Sequence, residues 1–387
     1  MRVEVGAVAH GGHCVARHAG RVLFVRHALP GETVVAVVTA VGRRGRFLRA
    51  DAVEVVVPSA DRREPPCPVA ARCGGCDWQH ATPQASRALK AAVVAEAMGR
   101  FAAVALPDSF EVREVPVGGD VAVPAGLGWR TRGTLAVDPV GRAGFLAHRS
   151  HEVVPAGGCP QLHPATDPLD LFGRAWPPGT RVGFVAPSRG PALAFPDGLA
   201  PAGPITEAAA GRLWSVAADG FWQVHPGAAD ALVGHVRRML APARGEHLVD
   251  LFAGVGLFGL SLAADLARVT LVEGDRRACD LARANAGDLP ATVVRSAVDR
   301  WVARRRALAG ADLVVLDPPR SGAGAAVVRA IAGAGPRAVA YVACDPVALA
   351  RDVATFQAAG WRVDELVALD LFPTTHHVEC VARLSPA

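Results

Sequence analysis

A thiol and two carboxylates in the last third of the chain are the residue types needed for nucleophilic catalysis. Asp317, Cys344 and Glu379 each lie close to a short apolar run that is typical of a buried strand. The apolar runs are residues 313–316, 338–342 and 367–371. Ligands bind at the carboxyl ends of the parallel strands in an open α/β sheet. We therefore expect Asp317 and Cys344 to point into one crevice, where a thiol with a nearby base forms an activated nucleophile.

Cys344 follows a predicted strand and directly precedes Asp345 and Pro346, where a helix over residues 346–359 is expected to begin. The partial positive charge at a helix N-terminus lowers the pKa of a thiol from its usual value of about 8.5. The position therefore predicts a reactive thiolate. The alternative is an inert buried cysteine, which is more typical of a position inside an apolar strand.

Such a thiolate suits a reaction on pyrimidines. Carbon-5 of the ring is a poor nucleophile until a thiolate adds at carbon-6, and a base must then remove the carbon-5 proton. Glu379 is the acid available for that step in a stretch that otherwise holds few carboxylates. A surface glutamate on a terminal strand is the alternative interpretation.

A glycine-rich loop predicts a ligand that contains adenosine. Gly254, Gly256 and Gly259 permit a tight turn, and Glu273 after the next strand can hold ribose hydroxyls. The same glycines satisfy the dinucleotide fingerprint, so a nicotinamide-dependent oxidoreductase is a competing interpretation. Asp250 favours S-adenosylmethionine, because a carboxylate beside the loop can pair with the cationic amino group of that cofactor.

The Asp-Pro-Pro sequence at 317–319 follows a predicted strand and is typical of nucleic-acid methyltransferases. Enzymes that methylate amino groups usually have an aromatic residue after the prolines. Arg320 stands there instead, which disfavours methylation of an exocyclic amine. A Pro-Pro turn that only ends a strand is the structural alternative.

Four of the eight cysteines form a candidate metal site. Cys67, Cys73 and Cys76 lie in a loop rich in glycine and proline, and Cys159 occurs far downstream, before Pro160. Four thiolates gathered by loops suit an iron–sulfur cluster or a structural zinc, and spacing alone does not choose between them. The uneven spacing, with a distant fourth cysteine before proline, fits a cluster better than a paired Cys-x2-Cys ribbon. A structural role that braces this region is favoured over redox chemistry.

Pattern and composition divide the 387 residues into three predicted domains. Residues 1–58 hold short strands separated by glycine and proline, which is typical of a small β-barrel. Residues 59–220 hold the cysteine loop, β-rich segments and a helix over residues 83–100 that we expect to pack on the catalytic domain. Residues 221–387 alternate strands with helix-length segments, so we predict an α/β fold with a parallel sheet.

The net charge of +5 and the pI of about 9.0 would suit a polyanionic partner. A single lysine accompanies the arginines, which indicates a genomic bias, so the bulk charge receives little weight. The N-terminus shows no secretory signal, and no apolar run is long enough to span a bilayer. We therefore expect a cytoplasmic protein, a monomer, with no membrane partner.

The ordered motifs resemble those of the bacterial RNA uracil-5 methyltransferase family, which has 23S ribosomal RNA and transfer RNA members. The resemblance covers essentially the whole chain, including Phe-Trp-Gln-Val at 221–224 and Asp-Leu-Phe-Ala-Gly-Val-Gly at 250–256. It implies a Rossmann-like class I methyltransferase sheet and a β-rich central iron–sulfur domain. It also implies an N-terminal TRAM domain, an OB-like β-barrel that binds RNA.

The resemblance also implies roles for individual residues. Cys344 is the nucleophile and Glu379 the base. The residues expected to bind S-adenosylmethionine are Gln223, Asp250, Phe252, Gly254, Gly256, Glu273 and Asp317. The four cysteines match the ligands of the 4Fe–4S cluster in the ribosomal members, with zinc as the alternative metal. Because transfer RNA members commonly lack this cluster, 23S ribosomal RNA is favoured over transfer RNA as the substrate for 5-methyluridine formation.

The chain departs from the family pattern at several positions. Asp345 replaces the usual asparagine after the nucleophile, so a negative charge beside Cys344 is expected to raise its pKa or change its contacts. Ala343 and Leu257 replace polar residues of the family motifs, and His225 replaces an asparagine. These changes leave a catalytically silent RNA-binding protein as a second alternative.

Overall fold

The computed structural model describes residues 1–118 and 122–387. A closed barrel forms the N-terminal part, with β1 hydrogen-bonded to both β2 and β4. Its strands are β1 (Arg2–Ala9), β2 (His13–His18), β3 (Arg21–Arg26), β4 (Thr33–Val41) and β5 (Phe47–Val57). The sequence predicts β1, β3, β4 and part of β5 from its β-rich runs at residues 2–9, 21–25, 33–41 and 52–57. It misses β2, whose six residues include two histidines and an arginine and so lack a clear apolar run.

The middle of the chain holds one long helix and two small antiparallel sheets. The elements are α1 (Pro83–Ala102), β6 (Val112–Glu114), β7 (Arg132–Val137), β8 (Ala143–Leu146), β9 (Val153–Pro155), β10 (Arg181–Val185), β11 (Leu193–Pro196), β12 (Pro204–Ala209) and β13 (Arg212–Ala217). Strands β7 to β11 form a five-stranded sheet, and β12 pairs with β13. Short 3-10 turns occur at Arg43–Gly45, Pro164–Leu169 and Ala263–Asp265.

The C-terminal part contains the large sheet and six helices. Its helices are α2 (Ala228–Leu240), α3 (Leu257–Leu262), α4 (Arg276–Ala286), α5 (Val298–Val302), α6 (Ala325–Ala334) and α7 (Pro346–Ala358). Its strands are β14 (His247–Leu251), β15 (Arg268–Glu273), β16 (Ala291–Arg295), β17 (Leu313–Leu316), β18 (Ala338–Ala343), β19 (Trp361–Asp370) and β20 (Glu379–Pro386). The sheet order is β16-β15-β14-β17-β18-β20-β19-β6, and β20 runs antiparallel to both of its neighbours.

Helix α1 and strand β6 join the middle of the chain to the large sheet. Thr82 caps α1 by accepting a hydrogen bond from the backbone N–H of Ala85, and Pro83 occupies the first turn, as the sequence predicts. Leu89 and Val93 of α1 pack into the barrel core, whereas Val94 packs into the core beneath the large sheet. Strand β6 pairs in parallel with β19 as the eighth strand. The predicted middle segment therefore contributes two elements to the packing of the catalytic domain.

In the part of the chain that the structure describes, no helix combines the length and apolar character needed to cross a bilayer.

Candidate active site

A cleft of about 770 Å³ opens at the carboxyl ends of the parallel strands. It brings together most of the side chains that the sequence assigns to catalysis or cofactor binding. The assigned residues that line it are Gln223, Phe252, Gly254, Glu273, Asp317, Cys344 and Glu379. These residues come from six separate segments of the chain, so only the tertiary structure makes them neighbours. Asp250 and Gly256 do not line the cleft.

The antiparallel strand β20 explains how Glu379 reaches Cys344. Cys344 directly follows β18, and Ala343 at the end of β18 is paired with Cys380 in β20. A strand that runs antiparallel to its neighbours begins at the edge where those neighbours end. Glu379 is the first residue of β20 and therefore lies at the same edge as Asp317, although the sequence alone gave no strand direction there.

The Cys344 thiol holds its proton more strongly than the sequence predicts. Burial raises its pKa to about 12, and the carboxylates of Glu379 and Asp317 add to the rise. The positive charge of Arg320 acts in the opposite direction. In the free protein, burial and the two adjacent carboxyl groups therefore raise the pKa of this thiol, against the direction predicted from the α7 N-terminus.

The two carboxyl groups of the cleft also have raised pKa values. Burial raises the pKa of Asp317 to about 7. Burial raises the pKa of Glu379 well above its ordinary value, the proximity of Asp317 adds to this, and Arg320 opposes it. A buried carboxyl group with a raised pKa can hold or accept a proton near neutral pH, which is the property required of a general base.

Glu273 and the glycine loop form one hydrogen-bonded unit. The Gly254 backbone N–H donates to Glu273 Oε2 at 2.9 Å, and the Asp275 N–H donates to Glu273 Oε1 at 2.7 Å. Phe252 has a φ of 60°, a left-handed conformation that is uncommon for a residue with a side chain. Phe252 and Gly254 line the cleft beside Glu273.

Asp250 requires a correction. Its side chain is fully buried, and Oδ2 accepts a hydrogen bond from the Gly259 N–H at 2.8 Å. Burial raises its pKa to about 8, so the group favours its neutral form at neutral pH. Asp250 therefore holds the start of α3 from behind the loop and does not pair with the amino group of a cofactor. Gly256 likewise serves packing, because a side chain there would meet Leu260 at 2.7 Å.

Asp345 does not act on Cys344 in the way the sequence suggests. Its Oδ1 accepts hydrogen bonds from the N–H groups of Val347 and Ala348 and so caps α7. Its Oδ2 lies 3.0 Å from Nε2 of His10, in the turn after β1. The barrel thus contacts Asp345, the residue next to the proposed nucleophile. No local sequence pattern around His10 predicts this contact.

Sequence reasoning leaves many residues of the cleft lining unassigned, and three of them have contacts or exposure that bear on the site. Phe221 is 74% exposed at the rim, in the motif whose glutamine is expected to bind the cofactor. Arg320 Nη2 lies 3.0 Å from His377 Nε2. Burial lowers the pKa of His377 to about 3, and His376 and Arg320 add to the effect. His377 is therefore a neutral acceptor that orients Arg320 towards the cleft.

The four assigned cysteines converge on one small cavity of about 20 Å³. Cys67 and Cys73 are buried, whereas Cys76 and Cys159 are half-buried. Among residues 1–118 and 122–387, no group of three or more His, Cys, Asp or Glu side chains has the arrangement of a metal-ion site. The structure therefore brings the four thiols round a common space without showing which group, if any, they bind.

Known protein families account for this combination of parts. The family model for the TRAM domain matches residues 1–53, and the model for tRNA (Uracil-5-)-methyltransferase matches residues 308–386. A third model, Conserved hypothetical protein 95, matches residues 234–342. Two of the matched regions carry the candidate site, since 234–342 includes the glycine loop and 308–386 includes the thiol and both carboxyl groups.

Relatives extend the match to the whole chain. A protein named uncharacterized RNA methyltransferase from Streptomyces coelicolor is 44% identical, and the match covers 100% of this chain and 92% of that protein. One of the same description from Corynebacterium efficiens is 35% identical over 98% of this chain and 93% of its own length. The crystal structure of Pyrococcus abyssi tRNA (uracil-54, C5)-methyltransferase with S-adenosyl-L-homocysteine has a TM-score of 0.69 at 23% identity, covering 98% of this chain and 99% of that one.

The fold and the cleft define a class I methyltransferase with an N-terminal TRAM barrel. The chain belongs to the RNA uracil-5 methyltransferase family. This result removes the oxidoreductase that the glycine loop alone left open.

The raised pKa of Cys344 predicts slow alkylation in the free protein. At pH 8 we expect iodoacetamide to modify Cys344 roughly tenfold or more slowly than free cysteine, because the thiolate fraction is smaller. Arg320→Met should slow the reaction further, since Arg320 lowers this pKa, whereas Arg320→Lys should not. Mass spectrometry of the Cys344 peptide would measure the rate. Modification at the rate of free cysteine would contradict the pKa assignment.

Proposed function

We propose that this protein transfers the methyl group of S-adenosylmethionine to carbon-5 of a uridine in RNA, with Cys344 as nucleophile and Glu379 as base. The observation that carries the proposal is the meeting of Cys344, Asp317 and Glu379 in one cleft with the glycine loop. A thiol and a neighbouring base are the two groups that methylation of a pyrimidine carbon requires.

The proposed residues account for each bond that changes. Cys344 releases its proton to solvent and adds to carbon-6 of uracil as a thiolate. The electron pair of sulfur forms the Sγ–C6 bond, and the displaced C5=C6 π pair makes carbon-5 nucleophilic as an enolate. Carbon-5 then takes the methyl group, leaving S-adenosylhomocysteine. Glu379 removes the carbon-5 proton, and the returning electrons expel Cys344 and restore the ring double bond. The target uracil must leave its stack in the RNA to reach the thiol inside the cleft.

Arg320 offsets the high pKa of Cys344 in this scheme. Its guanidinium lowers the pKa of the thiol and of Glu379, and it is held in place by His377. A bound sulfonium adds a second positive charge to the cleft, which favours the thiolate. We propose that Gln223, Phe252, Gly254, Glu273 and Asp317 hold the methyl donor, since all of them line the cleft.

RNA that carries 5-fluorouridine tests this proposal directly. Fluorine at carbon-5 cannot be removed as a proton, so the methylated adduct should stay bonded to Cys344. We expect a denaturation-resistant protein–RNA adduct in the presence of S-adenosylmethionine, measured by gel electrophoresis and mass spectrometry. Cys344→Ala should form none, whereas Cys279→Ala, which removes a buried cysteine of α4, should still form it. An adduct that survives in Cys344→Ala, or none in the wild-type protein on any RNA of its own cell, would refute the mechanism.

We propose 23S ribosomal RNA as the substrate, on the strength of the four-cysteine set that transfer RNA members commonly lack. Transfer RNA is the second candidate. It is favoured by the family description that matches residues 308–386 and by the named substrate of the Pyrococcus abyssi protein. Mapping 5-methyluridine in both RNAs from a deletion strain would decide. Loss from ribosomal RNA alone supports the first candidate, and loss from transfer RNA alone supports the second.

We propose that the four cysteines hold a 4Fe–4S cluster that braces the middle of the chain. The four thiols line one cavity, and a cluster would spread its thiolates over separate iron atoms. The uneven spacing of Cys67, Cys73 and Cys76, with Cys159 far downstream, supports a cluster over a single zinc ion.

An anaerobic preparation should therefore be brown, with broad visible absorbance and about four iron and four sulfide per chain. Cys159→Ser should lose the colour and lower thermal stability. The matched control is Cys14→Ser, which alters a buried cysteine of the barrel and should keep the iron content. A colourless preparation that contains zinc would show that the cluster assignment is wrong.

A further inference from the structure

The segment 371–378 joins β19 to β20 and leads directly into Glu379, so its conformation sets the position of the proposed base. Its anchors come largely from residues far back in the chain. The N–H groups of Asp77 and Trp78 donate to the Thr374 carbonyl at 3.0 and 2.8 Å. The His376 N–H and Nδ1 lie 2.9 and 2.7 Å from Asp77 Oδ2. The end of the cysteine loop therefore holds the middle of segment 371–378 in place through hydrogen bonds.

The start of the same segment is held by Lys90 of α1, the only lysine in the chain. Its ammonium donates to Asp370 Oδ1 at 2.5 Å and to the Phe372 carbonyl at 2.9 Å. Both charged side chains are buried, with Lys90 at 0% and Asp370 at 3% exposure. Lys90 therefore fixes the last residue of β19 and the beginning of the segment in one contact.

Burial of this ion pair is hard to explain by stability. Burial lowers the pKa of Lys90, which reflects the penalty of removing the ammonium from water, and Asp370 only opposes that effect. A well-packed apolar pair of similar volume is often as stable as a buried ion pair, or more stable. Val94, one turn along the same helix from Lys90, packs into the apolar core beneath the large sheet. The chain nevertheless places the compact ammonium of Lys90 here, where it donates hydrogen bonds both to Asp370 and to the Phe372 carbonyl.

We propose that Lys90 is a positioning residue that holds Glu379 within reach of the carbon-5 proton by anchoring the segment before it. This assignment rests on the proposed function, because only that function makes Glu379 the base. Cys344 lies on a different loop, between β18 and α7, that Lys90 does not touch. Loss of Lys90 should therefore slow proton removal and RNA release, while addition of the thiol to uracil continues.

Single-turnover kinetics of Lys90→Met separates the two steps. With ordinary uridine RNA and S-adenosylmethionine, we expect the methylated covalent adduct to accumulate, as it should in Glu379→Gln. Release should slow by about tenfold or more, up to the roughly 10²–10⁴-fold expected for complete loss of a general base. Adduct formation with 5-fluorouridine RNA should stay within about twofold of wild type.

Two further variants keep the test independent of folding. Lys90→Met leaves Asp370 buried without a partner, so the double variant Lys90→Met/Asp370→Asn removes both charges and should recover thermal stability. We expect slow release in the double variant as well. The matched control is Arg87→Met on the same helix, whose partner Glu114 is largely exposed. It should release RNA at the wild-type rate.

Wild-type release by the folded double variant would overturn the assignment, and so would an equal slowing of adduct formation and release. Failure of the proposed function has a different signature. In that case wild-type protein forms no adduct with 5-fluorouridine RNA, or Glu379→Gln accumulates none with uridine RNA. Either result would remove the base that Lys90 is proposed to position.

Discussion

Burial of three ionisable groups in one cleft is the constraint on which the site depends. The pKa of Asp317, Cys344 and Glu379 is raised in each case, and burial is the first cause of each rise. Negative charges that are close together and removed from water cannot all form at once. The cleft therefore favours protonated groups until positive charge enters it, and in the proposed mechanism Arg320 and the cationic methyl donor supply that charge.

The sheet creates this constraint through one change of strand direction. Strands β14, β15, β17 and β18 run in parallel and deliver the glycine loop, Glu273, Asp317 and Cys344 to one edge. Strand β20 runs the other way, so its first residue lies where its neighbour β18 ends. A parallel β20 would carry Glu379 to the opposite edge of the sheet, about 20 Å away for a strand of ordinary length.

The N-terminal half of the chain completes the site. His10 of the barrel contacts the residue after Cys344, Asp77 of the cysteine loop holds His376, and Lys90 of α1 holds the segment before Glu379. Helix α1 packs on both the barrel and the large sheet, so it ties these contacts to one core. The barrel therefore contacts the loop that carries the proposed nucleophile.

Local patterns in the sequence were sufficient for several of the elements and for the family. The apolar run at 313–316, the capped helix that begins at Pro83 and the glycine loop depend on near neighbours in the chain, and the structure has each of them. Tertiary structure alone decided that β20 runs antiparallel to β18 and that burial raises the pKa of Cys344. It also decided that Asp250 lies outside the cleft lining and that Lys90 pairs with Asp370. These properties arise from contacts between residues far apart in the chain, and a pKa or a strand direction depends on such contacts more than on residue type.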